Sequence, residues 1–152
     1  MNWIIKQFDE LTPREVHRVL QARCDVFVVE QNCPYLDPDG LDFISTHIFA
    51  EHNGEIAAYC RIVPKGTRFA EISVGRIITA KKFRAAGHGR ELMKRAIEYI
   101  TAETGETEIR ISAQSYLRKF YESFGFAVTS EQQYLEDGIP HYDMLRINTP
   151  LP

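Results

Sequence analysis

The chain has 152 residues, 44% hydrophobic and 26% charged. That length and balance suit one globular domain, residues 1–152, and exclude a disordered, collagenous or coiled-coil chain. With 18 basic and 21 acidic residues, a net charge of −3 lacks the footprint of a nucleic-acid binder. No apolar run approaches the roughly 20 residues that span a bilayer, and the first residues carry no signal-peptide pattern, so the expected location is cytoplasmic.

Trp3 to Phe8 reads as a strand. Thr12-Pro13-Arg14-Glu15 then opens a helix, with Thr12 as cap, Pro13 at the first helical position and Glu15 closing a capping box. Val16, Leu20, Cys24, Phe27 and Val28 recur at helical spacing, which carries the helix to about Glu30. Asn32 to Phe43 is a loop with Asp37, Asp39 and Asp42. It is not a calcium loop, because Leu41 replaces a ligand and Ile48 stands where the twelfth-position Glu belongs. Strands follow over Thr46–Glu51 and Glu55–Val63, joined by the hairpin signal Asn53-Gly54. Glu71–Thr79 is a further strand, and period-two alternation places Glu71, Ser73, Gly75, Ile77 and Thr79 on one face.

A basic loop from Phe83 leads into an amphipathic helix carrying Leu92, Met93, Ala96, Ile97 and Ile100, closed by Gly105. Glu108–Ala113 is a strand. Ser115 can cap a short helix with Leu117, Phe120, Tyr121 and Phe124 inward and Gly125 as its stop. Phe126–Val128 and His141–Ile147 read as the last strands, with turn chemistry at Asp137-Gly138 between them. The order β-α-loop-β-β-β-α-β-α-β-β predicts an α/β (α+β) domain with a mixed central sheet and helices packed on it. Cys24, Cys33 and Cys60 form no C-x-x-C pair, which argues for reduced thiols and against a disulfide framework or a metal cage. No metal is expected.

The most informative segment runs from Ile77 to Arg90, where a strand ends, a basic loop follows and a helix opens. The first turn of a helix has unpaired N–H groups and partial positive charge. Gly87 and Gly89 clear side chains from those groups, and Lys81, Lys82, Arg84 and Arg90 add charge. The predicted ligand is a phosphate or pyrophosphate. It is neither a P-loop, since Gly89 is followed by Arg90 and Glu91, nor a dinucleotide fingerprint, since Leu92 stands at the third glycine.

Arg84-Ala85-Ala86-Gly87-His88-Gly89 resembles the R/Q-x-x-G-x-G/A signature of the GCN5-related N-acetyltransferases, and Phe120-Tyr121-Glu122-Ser123-Phe124-Gly125-Phe126 resembles that superfamily's Y-x-x-x-G-F block. The segments Glu30–Tyr35, Asp39-Gly40, Asp42 and Glu136–His141 are similar to those of its ElaA-type members. The resemblance implies the family fold, a mixed sheet of about six to seven strands flanked by about four helices, and an acyltransferase using acetyl-coenzyme A. It implies an amine acceptor, small molecule or peptide, and a homodimer is common in such folds. It also implies that Ile77, Ile78 and Thr79 offer backbone groups to the pantetheine arm and the thioester carbonyl. Arg84, Ala85, Ala86, Gly87, His88, Gly89 and Arg90 would hold the pyrophosphate, with Gln114 at the place of a cofactor-contacting asparagine.

Tyr121 matches the family tyrosine that protonates the departing thiolate. Spacing alone favours the competing reading, a core aromatic sharing a helix face with Leu117 and Phe124. For the base, Glu71 is the first candidate, set against an ordinary charged strand start. Glu30, Asp39, Glu136 and His141 are further candidates, and these carboxylates could instead bind a cationic acceptor. His17, His47, His52 and His141 otherwise read as solvated surface or strand-edge positions. The competing functional reading is a non-catalytic coenzyme A binding or sensing module.

Overall fold

Local chemistry sets the first helix as its sequence dictates. In the computed structural model, which describes residues 1–147 and 151, Thr12 Oγ1 accepts from the Glu15 N–H at 3.1 Å. Glu15 Oε2 accepts from the Thr12 N–H at 2.8 Å. Strand β1 (Asn2–Gln7) precedes α1 (Pro13–Cys24), which widens into an i→i+5 turn over Asp25–Glu30. A loop ending in a tight turn at Gly40–Ile44 leads to β2 (Thr46–His52) and β3 (Glu55–Val63). Asn53 and Gly54 both take positive φ, as their two-residue hairpin requires. Strand β4 (Ile72–Thr79), α2 (His88–Tyr99) and β5 (Glu108–Gln114) make the crossover unit. The chain ends with α3 (Arg118–Glu122), β6 (Phe126–Val128), β7 (Tyr134–Glu136) and β8 (Ile139–Ile147).

The eight strands form one sheet in the order β1-β2-β3-β4-β5-β8-β6, with β7 also on β8. Only β4 and β5 are parallel. Helices α2 and α3 cover one face, burying Leu92, Met93, Ala96, Ile97, Tyr121 and Phe124 against Ile72, Val74, Ile109 and Ile111. Helix α1 covers the other, with Val19, Ala22 and Val26 against Phe49, Tyr59 and Ile78. No helix among the described residues is long and apolar enough to cross a membrane.

The mixed sheet is as expected, and three local readings change. The Asp137-Gly138 turn joins β8 to β7, a three-residue strand that composition hides, so the sheet has eight strands. Three α-helices flank it, since the remaining helical pieces are single tight or wide turns. Ser115 caps nothing: it begins a tight turn, and its Oγ is buried without a partner among the described residues.

Strand β4 contains the feature that matters most for the site. Gly75 pairs with Arg61 and Ile78 with Tyr59, so β4 fits one extra residue into that interval, and Arg76 takes a φ of 52°. Such a bulge reverses the alternation of side chains. Ile72 and Val74 face α2, and so does Ile77, while Ile78 turns to α1. The single-face alternation expected from Glu71 to Thr79 therefore breaks at the bulge.

Candidate active site

Strands β4 and β5 pair only at Ile72–Ile109 and Ser73–Arg110. Beyond that point β5 stays on β8 as far as Gln114–His141, while β4 stays on β3, so the two strands part like a fork. A cavity of about 690 Å³ fills the opening, within the range of small-molecule and cofactor sites. Tyr121 and every residue expected to bind cofactor except Ala86 lie on its wall.

At one end of the cavity, Gly87 sits at φ 81° immediately before α2. The first helical bond runs from the Glu91 N–H to the Gly87 carbonyl at 3.1 Å. The N–H groups of His88, Gly89 and Arg90 have no protein acceptor among the described residues. Unspent donors at a helix start are an arrangement able to hold an anion. The two glycines serve it differently. A Cβ on Gly87 would meet open space but an unfavourable φ, whereas one on Gly89 would press within 3.3 Å of Thr79 Oγ1. Gly87→Val is expected to weaken binding of a pyrophosphate-bearing ligand at this helix start at least tenfold by calorimetry. The strained φ should cost about 1–2 kcal/mol of stability, so the fold survives.

The arginines of the loop already have partners. Arg84 donates through Nη1 and Nη2 to Glu30 at 2.5 and 2.9 Å, and through Nε to the Thr79 carbonyl. Arg90 reaches Ser123 Oγ at 3.1 Å, with its guanidinium 4.7 Å from the Phe124 ring centre. Gln114 and Gln31 exchange amide hydrogen bonds at 3.2 and 3.4 Å across the cavity. Gln31 was marked in the sequence only as part of the segment Glu30–Tyr35, with no role of its own.

Tyr121 is 4% exposed, packed into the α2 face of the core and also on the cavity wall. Its hydroxyl has no hydrogen-bond partner among the described residues. Burial pushes the phenol above its ordinary pKa, so it holds its proton at neutral pH.

The carboxylates distribute differently from expectation. Glu71 is not on the cavity wall; both of its oxygens accept from Arg110 Nε, at 3.0 and 2.9 Å. That hydrogen bond, against a smaller effect of burial, lowers its pKa and makes it a poorer base. Asp37, Asp39 and Asp42 alternate with three arginines in a closed ring of ion pairs: Arg23–Asp37, Asp37–Arg76, Arg76–Asp39, Asp39–Arg61, Arg61–Asp42 and Asp42–Arg23, at 2.6 to 3.4 Å. Asp39 is thereby spent on structure. A signal for this ring exists in the sequence: Arg61 interrupts the apolar run Ala57–Val63 and Arg23 adjoins a helical apolar face, and buried charges need partners.

Glu136 and His141 do reach the cavity, carried by the hairpin of β7 and β8. His141, near the start of β8, is 7% exposed rather than on a solvated surface, and stacks on Tyr134. His141 Nδ1 lies 2.6 Å from the Ile139 carbonyl, which can only accept, so Nδ1 carries a proton and Nε2 holds the lone pair of the neutral ring. Glu136 Oε2 is 3.5 Å from Nε2 and accepts from Ser112 Oγ at 3.1 Å, and Glu136 Oε1 accepts from Arg68 at 3.1 Å. His47 is buried too, bonded to Tyr59 Oη and the Asp42 carbonyl, remote from the cavity.

A parted pair of parallel strands, with a helix opening on free amides at its mouth, is the architecture of an acyl-coenzyme A N-acyltransferase. The chain belongs to the GNAT acetyltransferase family, whose domain model matches residues 40–147. It is 38% identical over 148 residues to Escherichia coli ElaA, covering 96% of each chain, and the ElaA crystal structure superposes with a TM-score of 0.89. An acyl-CoA N-acyltransferase from Pseudomonas aeruginosa is 36% identical over 96% of this chain and 99% of its own, with a TM-score of 0.90. A UPF0039 protein of Synechocystis is 38% identical over 95% of this chain and 94% of its own.

Proposed function

We propose that the protein transfers an acetyl group from acetyl-coenzyme A directly to an amine, both substrates being bound together. The carrying observation is the set of unspent N–H groups on His88, Gly89 and Arg90 at the mouth of the fork. In this reading they hold the pyrophosphate, with the segment Arg84–Arg90 around it and Gln114 beside it. The backbone of Ile77, Ile78 and Thr79 lines the pantetheine arm, and an N–H there stabilises charge growing on the thioester oxygen. The amine nitrogen bonds to the carbonyl carbon, the carbon–sulfur bond breaks, and the electron pair leaves on sulfur. Tyr121 gives the sulfur its proton.

The proton leaving the amine goes to His141 Nε2. Glu136, 3.5 Å away, then faces the imidazolium and stabilises it. This assignment replaces Glu71, whose oxygens are held by Arg110 off the cavity. Steady-state kinetics separate the two. His141→Gln should lower kcat about tenfold with acetyl-coenzyme A affinity retained, and Glu71→Gln should leave kcat within twofold. The reverse order would move the base to β4.

Melting the protein with acetyl-coenzyme A tests the whole reading. At a hundredfold Kd a ligand of the folded state adds about 2.7 kcal/mol, roughly 5–10 °C for a chain this long. No shift at millimolar concentration would overturn the cofactor assignment. A shift without thiol release across amines would favour a sensing module.

A further inference from the structure

The charges around Arg68, Arg76, Glu136 and His141 on the cavity wall limit what the acceptor can be, given the acyltransferase reading on which this inference rests. The ring of three aspartates and three arginines sums to zero, Glu136 is paired with Arg68, and Glu30 with Arg84. Of the carboxylates on the cavity wall, only Asp137, at the exposed hairpin turn, has no ion-pair partner among the described residues. A polycation would find little unspent negative charge here.

The guanidinium groups are less fully spent. Arg76 has Nε 2.8 Å from Asp37 Oδ1, while Nη2 donates to the Asp37 carbonyl at 3.0 Å and Asp39 Oδ2 at 3.4 Å. Its Nη1 donates to nothing among the described residues. Arg68 uses Nη2 on Glu136, and its Nη1 also has no acceptor. That Nη1 lies 3.7 Å from where a Cβ of Gly75 would stand, beside Arg76. Both arginines line the cavity. The left-handed bulge sends Arg76 away from the α2 core, and the aspartate ring holds it there.

Unspent guanidinium donors therefore share the cavity wall with an acceptor pair, Glu136 Oε2 and His141 Nε2, set 3.5 Å apart. Two acceptors at that spacing fit one ammonium nitrogen between them, and a guanidinium edge fits a carboxylate. We infer that the acceptor carries a carboxylate close to the amine it offers, as a free amino acid does. The amine lies against Glu136 and His141, and the carboxylate against Nη1 of Arg76 and Arg68.

The test is thiol release from acetyl-coenzyme A with the twenty amino acids, each as free acid and as carboxamide, and with spermidine. The best free acid should exceed its amide at least tenfold in kcat/KM, almost all of it in KM. Arg68→Gln, which leaves the buried ring intact, and Arg76→Lys should both bring that ratio toward one. Amides or spermidine turned over as fast as acids would overturn this inference and leave the acyltransferase reading standing. Release from none of these amines would overturn this inference too, while the melting shift reports on the cofactor assignment separately.

Discussion

Asp42→Ala is expected to be the most damaging single substitution away from the cavity, lowering stability by about 3–5 kcal/mol. Arg23 and Arg61 both donate to the Asp42 carboxylate, at 2.7 and 2.9 Å, and their side chains are 1% exposed. Removing the carboxylate leaves Arg23 with Asp37 alone and Arg61 with Asp39 alone, so three arginines share two aspartates and one buried positive charge goes uncompensated. Against a usual total of 5–15 kcal/mol this is a large fraction, so melting should fall by roughly 10 °C or more. A loss below about 1 kcal/mol would mean that the ring contributes nothing to the fold.

The same ring fixes a pH dependence. Burial alone would raise the Asp42 pKa, but hydrogen bonds from Arg23 and Arg61 outweigh it and hold the carboxyl below its usual 3.8; Asp39 behaves likewise with Arg61. The folded pKa values are lowered, so the unfolded chain binds more protons as the solution is acidified. The stabilisation is full above about pH 4 and disappears as pH falls through the folded values. Burial also lowers the His47 pKa from 6.5, so a smaller loss should begin below that pH. Urea titrations at stepwise pH would show both limbs, and in Asp42→Ala the acid limb should flatten.

Tyr121→Phe is expected to lower kcat about 100-fold while leaving acetyl-coenzyme A affinity and the melting temperature nearly unchanged. The substitution removes only an oxygen that has no protein partner, and the ring keeps its edge-to-face contacts with Phe120 and Phe126. A core aromatic without a chemical role would give the opposite pattern, with unchanged turnover. Product formation followed by thiol release, with binding measured separately, distinguishes the two.

The parts of this molecule that were legible beforehand are those governed by neighbours in sequence. The Thr12–Glu15 cap, the Asn53-Gly54 hairpin and the glycine-bearing entry to α2 each depend on residues within a few positions, where stereochemistry has few solutions. Gly87 and Tyr121 were accessible because short motifs carried them to the cavity wall. Glu71 lies off the cavity wall for a different reason. A strand's alternation predicts faces only while its register holds, and the extra residue at Arg76 is imposed by pairing with β3. For Asp39 the sequence signalled only that Arg61 needs a partner, not which one, since the two lie 22 positions apart and the ring closes only in three dimensions. His141 looked exposed because β7, which shelters it, has too few residues to announce itself.

The wide turn at the end of α1 has one more effect. Glu30 bonds to Arg84, just after one prong of the fork, and Gln31 bonds to Gln114, the last residue of the other prong. Two consecutive side chains thus act as a tie-rod that sets the gape between strands whose own backbones do not touch there. Shortening that tie by Gln31→Ala would let the prongs drift independently, and the entropy now spent in advance by the chain would fall on whatever ligand enters the fork.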